Sequence, residues 1–293
     1  MLTKLLLAAA MAAVQTPAAP PAVLPDADPA MWVVKDDDTT VYLFATFHAL
    51  DGKTDWFNDE VKTAFDRSDE VMLEALIPED PAAMQPIVMK YALDKSGKTL
   101  TSKLSLEGQK RLAAALAAMG APATAFDGFK PFFASMTLVA IGMQKMGIAA
   151  DKGAENALRG AAKAAGKPVG EIENVEFQIA MFDRISEADQ IDMLEQLLVS
   201  LDDLPGETNR MLAAWNQGDA AGFKSIMDES DKEGPAAHKV IFTERNATWA
   251  EWIDQRLDKP GTVFLAVGTG HLAGKDSVQQ QLVQRGIKAA RAN

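Results

Sequence analysis

Three histidines, His48, His238 and His271, are the whole imidazole supply of this 293-residue chain, which has no cysteine. Thiolate metal sites, iron–sulfur clusters, disulfides, a Cys nucleophile and a lipid-modified N-terminal Cys are therefore excluded. Two of the histidines stand in similar surroundings. Aligning His48 on His271 superposes Val41-Tyr-Leu-Phe-Ala-Thr-Phe-His48 on Phe264-Leu-Ala-Val-Gly-Thr-Gly-His271. Each is a β-rich run, a small residue, a threonine, one further residue and the histidine. An imidazole at a strand end projects into a crevice, and two from neighbouring strands can share a metal ion. Two histidines rarely complete such a site, so carboxylates should join them. Glu74 closes the run Glu70-Val-Met-Leu-Glu74, and Glu173 closes the run at 169–173. Mixed His/carboxylate ligands suit Mn²⁺, Zn²⁺, Fe²⁺ or Co²⁺ rather than copper. Such an ion activates water and polarises a carbonyl, with one Glu left as general base.

Each residue also has a plainer reading. A histidine in a turn is often a hydrogen-bonding or capping residue. Glu74 can be a solvated strand end, and Glu173 an acid at the start of the helix after Asn174. Arg245 and Asn246 lie beside Ile241, Phe242 and Trp249 in a helical pattern, so at least one should face the core or a site. There an Arg orients a carboxylate or holds an oxyanion, or forms a structural ion pair. His238 follows Gly234-Pro-Ala-Ala near a helix start; exposure and no role are expected for it.

Other chemistries are absent or spoiled. The chain has no His-Glu-x-x-His and no Gly-x-Ser-x-Gly. Gly160-Ala-Ala-Lys-Ala-Ala-Gly166-Lys-Pro168 resembles a phosphate loop with one residue too many and Pro in place of the magnesium-binding hydroxyl. Gly268-Thr-Gly270-His-Leu-Ala-Gly274 has the wrong glycine spacing for a dinucleotide loop and too little chain after it.

The elements that must position these residues follow from the patterning. Residues 31–34 and 40–46 are β-rich runs around a polar turn, which predicts a hairpin. A helix is expected over 56–67, capped by Asp55, then a strand at 70–75, giving a βαβ unit and a parallel sheet. Residues 80–165 read as helical with Gly and Pro punctuation, and 166–173 as a brief return to the sheet. Helical patterns cover 174–185, 187–201 and 205–217, and a long helix is expected over 236–257. A buried strand at 261–267, a Gly-rich turn, a helix over 275–285 and a strand near 287–290 complete the chain. The expected class is α/β, with two βαβ-containing sheet halves from the two ends and a helical insertion between them (80–165 and 174–257). The carboxyl ends of parallel strands, where both histidines fall, are where such sheets bind ligands.

Composition narrows the partners. The chain is 48% hydrophobic and carries 41 Asp and Glu against 29 Lys and Arg, a formal net charge of −12. That sum argues against nucleic acid, which needs a cationic face. Residues 1–22 combine Lys4, an apolar run over 5–14 and a Pro/Ala-rich tail, the pattern of a secretory signal peptide and leader. Export to the periplasm or medium is expected, with one domain over 23–293. The apolar stretch 131–150 is broken by Gln144 and Lys145 and reads as a buried core helix, leaving no span in the mature chain.

Five segments, in order, resemble the TraB/GumN family, which takes in the Tiki peptidases. They are Leu43-Phe-Ala-Thr-Phe-His48, Asp69-Glu-Val-Met-Leu-Glu74, Gly166-Lys-Pro-Val with Ile172-Glu173, Glu244-Arg-Asn246 and Val267-Gly-Thr-Gly-His271. The resemblance runs from about residue 32 to 290. It implies an α/β fold, paired Gly-x-x-His motifs and, from the Tiki branch, a metal-dependent peptidase preferring manganese or cobalt. By position, His48 and His271 are similar to the motif histidines, Glu74 and Glu173 to the family acids, and Arg245 and Asn246 to its Arg-Asn pair. The chain departs from the family at Ala45, where the first motif usually has Gly; a methyl group there is harmful only if positive φ or close approach is needed. Two functions follow: a metal-dependent hydrolase acting on peptides or proteins, or a non-catalytic exported protein that holds a peptide or glycan on the same fold.

Overall fold

Apolar residues buried on both sides of the strands set the architecture. Val41, Leu43, Ala45, Val263, Leu265 and Val267 pack toward one face of a sheet, and Phe44, Val71, Leu73, Phe264 and Ala266 toward the other. A sheet of this kind needs helices on both faces. The computed structural model describes residues 24–293, and the expected leader, 1–22, lies outside them. The strands are β1 (Met31–Lys35), β2 (Thr39–Thr46), β3 (Glu70–Leu73), β4 (Val169–Glu171), β5 (Gly261–Gly268) and β6 (Ala290–Arg291). They form one six-stranded sheet in the order β4-β3-β5-β2-β1-β6. β5 is parallel to both β2 and β3, β3 is parallel to β4, and β1 is antiparallel to β2 and β6.

The α/β class expected from the sequence is what forms, with the helix-rich middle. The strands from the two ends interleave in this one sheet. β5 slots between β2 and β3, where Val263 to Gly268 is buried throughout at the centre of the sheet. The expected final strand shrinks to β6, paired with β1.

The helices are α1 (Asp59–Arg67), α2 (Gln85–Tyr91), α3 (Leu100–Lys103), α4 (Leu106–Ala118), α5 (Pro131–Lys145), α6 (Ala154–Ala165) and α7 (Val175–Ala180), followed by α8 (Glu187–Ser200), α9 (Leu204–Asn216), α10 (Ala220–Glu233), α11 (Pro235–His238), α12 (Glu244–Leu257) and α13 (Val278–Gln284). α1 and α6 cover one face through Val61, Phe65, Ala154 and Leu158. α12 and α13 cover the other through Trp249, Ile253, Val278 and Leu282. A further core of Leu100, Leu112, Leu116, Leu138, Leu194 and Leu198 joins α3, α4, α5 and α8 into a helical lobe.

Several element limits differ from expectation for local reasons. α1 starts three residues late, after Asn58, because the Asp55 backbone is drawn into pairing with Pro25 and Ala27. α13 starts at Val278, where the Ser277 hydroxyl accepts the Gln280 N–H. The expected long helix is broken by a π turn at Lys239–Thr243 between α11 and α12. Among the described residues, no helix is long and apolar enough to cross a membrane.

Candidate functional site

Because β2, β3, β4 and β5 run parallel, their carboxyl ends share one edge, and the turns after them deliver His48, Glu74, Glu173 and His271 respectively. Glu173 stands two residues beyond its strand, its N–H donating to the Glu74 carbonyl at 3.0 Å. Hydrogen bonds lock these turns together. Thr269 Oγ1 donates to the Thr46 carbonyl at 2.7 Å, and the Ala154 N–H at the start of α6 donates to the Phe47 carbonyl at 3.1 Å. Gly153 permits that docking, since a Cβ there would run into the His48 carbonyl.

Each histidine is anchored through Nδ1. His48 Nδ1 lies 2.7 Å from Glu155 Oε1, which the Thr46 hydroxyl also reaches. His271 Nδ1 lies 2.6 Å from Asn246 Oδ1, while Asn246 Nδ2 donates to the Asp276 carbonyl at 2.8 Å. That second bond fixes the Asn246 amide, so Oδ1 is the acceptor and His271 carries its proton on Nδ1. Nε2 of each ring is left toward Glu74. His271 Nε2 is 3.9 Å from Glu74 Oε1. On the other side, an ideal Cβ on Gly268 would lie 2.7 Å from His48 Nε2 and 3.3 Å from Glu74 Oε2. The bare backbone of Gly268 thus leaves a cradle shared by one imidazole and one carboxylate, and its N–H donates to Oε2 at 3.0 Å.

The β2–β5 register settles the question raised by Ala45. Thr46, not Ala45, lies opposite Gly268. Ala45 packs into the core under α12 and α13, and neither residue has positive φ. The small residues of the two motifs therefore face opposite sides of the sheet. A methyl at 45 is accommodated; one at 268 is not.

Arg245 and Asn246 are both buried at the site. The π turn precedes Arg245, and Ile241 in it offers its carbonyl to Nη1 at 3.0 Å. Nη2 donates to Glu74 Oε1 and to Glu173 Oε2, each at 2.6 Å, and Nε reaches both Glu173 oxygens at 2.9 and 3.1 Å. Nη1 also lies 3.1 Å from His271 Nε2, and the guanidinium stacks on Trp249, whose indole N–H donates to Glu173 at 2.8 Å.

These contacts fix the charges. Burial pushes the His271 pKa down to about 3, with Arg245 adding to the effect against Glu74, so its ring is neutral at physiological pH. Burial opposes ionisation of Glu74, but the imidazoles, Arg245 and the Gly268 N–H outweigh it and lower its pKa to about 2. With His271 neutral, the cations acting on it are His48 and Arg245. Desolvation of the inner ring edge opposes charge on His48, whereas Glu155 favours it more strongly and raises the pKa to about 9. The His48 side chain is nonetheless 63% exposed, so solvent screens that pair. Glu155 itself is held below the usual carboxylate range, with burial opposing and His48 and Thr46 prevailing.

The donor set fits a divalent ion in part. His48, Glu74 and His271 combine two Nδ1-anchored imidazoles with a carboxylate, the arrangement in which outer hydrogen bonds aim metal-binding nitrogens. Ligation through His271 Nε2 or Glu74 Oε1 would displace an existing contact with Arg245. Glu173 departs from the expected ligand role, as both its oxygens are taken by Arg245 and one also by Trp249. Among the described residues, two groups of three donors have all ligand atoms within 4.8 Å of one another, Asp231–His238–Asp276 and Asp26–Asp28–Asp59. Neither the four expected ligands nor the trio His48, Glu74 and His271 forms such a group.

Sequence reading missed two residues. Glu155 lies in the first turn of α6, where only Gly153 and the helix start hinted at a docked acid. His238, expected at the surface, is buried. A groove of about 410 Å³ runs along Glu173, Arg245, Phe177, Arg184 and Thr248. A larger cleft of about 750 Å³ lies between α8, α9, α10 and α11 and meets the site through Phe242, whose ring is 5.0 Å from His271.

The model of the TraB/PrgY/gumN family matches residues 30–291. The Escherichia coli (strain K12) protein named "Uncharacterized protein YbaP" is 26% identical over 185 residues, 63% of this chain and 68% of that protein. Its namesake from Shigella flexneri gives the same figures. No solved structure matches the chain.

Proposed function

Because the chain belongs to the TraB/PrgY/gumN family, we propose that it is an exported, metal-dependent hydrolase acting on peptides or proteins, with His48, Glu74 and His271 holding the ion. One observation carries this reading: both imidazoles are tethered at Nδ1, to Glu155 and Asn246, and turn Nε2 toward the same carboxylate. A capping or core histidine has no need of an Nδ1 anchor on one side and a shared carboxylate on the other. Manganese or cobalt is the ion expected, with zinc and iron compatible with the donors. When bound, it supplies Lewis-acid polarisation of a scissile carbonyl and a more acidic water.

The chain's own groups do the rest. Glu155 and Asn246 orient the two rings. Glu74, ionised at any physiological pH, accepts hydrogen bonds from Arg245 and Gln178 at Oε1 and from the Gly268 N–H at Oε2, the oxygen that shares the Gly268 cradle with His48. Arg245 balances the buried carboxylates of Glu74 and Glu173, and Glu173 positions Arg245 rather than abstracting a proton. The groove along Phe177, Arg184 and Thr248 includes Glu173 and Arg245 in its lining and offers room for part of a substrate beside them. The leader over residues 1–22 supports export.

The test is metal analysis of purified protein, then a broad peptide-substrate screen with added Mn²⁺ or Co²⁺. Metal-dependent cleavage that His271→Ala abolishes supports the reading. Absence of both bound ion and cleavage, with His271→Ala silent, overturns it. A second reading rests on Arg245, which pairs with both Glu74 and Glu173 without an ion: a non-catalytic protein that holds a peptide or glycan. Ligand binding that survives His48→Ala and His271→Ala, with no turnover, is the result that would favour it.

A further inference from the structure

Away from the sheet edge, three donors from separate segments meet: Asp231 on α10, His238 on α11 and Asp276 in the loop before α13. Their ligand atoms all lie within 4.8 Å of one another. The His238 side chain is 5% exposed, its Nε2 stands 3.4 Å from Asp276 Oδ2, and its Nδ1 is buried with no hydrogen-bond partner. A buried imidazole held this loosely forgoes the hydrogen bonds that ordinarily offset its burial. The carboxylates already attract a cation. Lys275 Nζ lies 3.0 Å from Asp231 Oδ2 and 3.4 Å from Asp276 Oδ2. That side chain is 61% exposed, so it can swing into solvent with little change in hydration.

We infer that Asp231, His238 and Asp276 form a second divalent-cation site, separate from His48, Glu74 and His271. One imidazole and two carboxylates suit a first-row ion such as Zn²⁺, Mn²⁺ or Co²⁺, and three protein ligands leave room for water. His238 also lines the 750 Å³ cleft, which gives an ion access. The site has a structural consequence. The carbonyl of Asp276 is the acceptor that fixes the Asn246 amide, and Asn246 holds His271. An ion on the Asp276 carboxylate braces the loop from which that chain of hydrogen bonds starts.

The experiment titrates zinc chloride into the His48→Ala protein by calorimetry, with folding checked by circular dichroism. One equivalent is expected in that background, and none after adding either Asp231→Asn or His238→Gln. Asp231 is only partly buried, so its variant keeps the test alive should His238→Gln fail to fold. Lys275→Gln is expected to bind zinc more tightly, by removing the competing ammonium. The inference is overturned if His48→Ala binds no ion, if folded Asp231→Asn binds as its parent does, or if Lys275→Gln binds more weakly. These arms read independently of the sheet-edge site: should that site hold no ion, the unmodified protein and His48→Ala bind the same single equivalent.

Discussion

His48 Nε2 and the α-carbon of Gly268 are so close that a single methyl group on Gly268 would stand 2.7 Å from the ring nitrogen. The glycine of the second motif thus makes room for the histidine of the first. Gly268→Ala should therefore push the His48 ring off Glu74 and remove metal-dependent activity while circular dichroism stays native. Ala45→Gly, in the matching place of the other motif, should leave activity unchanged and cost roughly 0.5–1 kcal/mol of stability as a strand glycine. Comparing the two variants on the same substrate checks both. Retained activity in Gly268→Ala would refute the shared cradle.

Arg245 is the sole guanidinium on Glu74 and Glu173 among the hydrogen bonds of the described residues. Arg245→Ala leaves two buried carboxylates facing each other and should destabilise the fold by about 3–5 kcal/mol, the usual range for breaking a buried pair. Arg245→Lys keeps the charge without the fork and should lose less. Urea unfolding of both variants decides the order; equal, small losses would show that the pairing is solvated.

Asn246 holds two groups at once. Asn246→Ala strands the His271 Nδ1–H and the Asp276 carbonyl, and about 1–3 kcal/mol of stability should go with each buried group left unpaired. Because His271 would then be free to rotate, kcat should fall more than KM rises. A purely structural Asn246 would lower the melting temperature alone.

Acid should weaken the metal-free protein in two stages. His271 is neutral when folded, with its pKa depressed to about 3. Unfolded, it takes a proton near the ordinary 6.5, so stability present above pH 6.5 drains away as pH falls toward 3. Glu74, depressed to about 2, adds stability present above about 4.5 that is lost as pH falls toward 2. Urea midpoints at pH 7.5, 5.5 and 4, in the presence of a chelator, measure the slope. His271→Gln should flatten the upper stage; an unchanged slope there would contradict a buried neutral ring.

The sheet-edge residues were legible because two similar turns repeat across the chain and strand ends advertise themselves in β-rich runs. Arg245 and Asn246 stood out as polar residues among aromatic ones. What the sequence hid depends on contacts between distant segments. Glu155 is an ordinary acid of a helix's first turn until Gly153 lets α6 dock on the His48 turn. His238 reads as surface because it stands near a helix start after Gly234 and Pro235, whereas α10, given no helix of its own in the sequence reading, packs against it. The π turn before α12, whose Ile241 carbonyl meets Arg245, has no pattern of its own. The place of β5 between β2 and β3 is a pairing decision that a run of apolar residues does not encode.

That placement sets a schedule for folding. Thr39 pairs with Gly261 and Glu70 with Val263, so the middle strand of the sheet is synthesised long after both of its neighbours. Until it arrives, β2 and β3 have no common neighbour and both offer unpaired backbone to other molecules. A nascent chain is thereby kept from closing its sheet early, at the expense of slow, high-contact-order folding and a dependence on whatever shields those edges meanwhile.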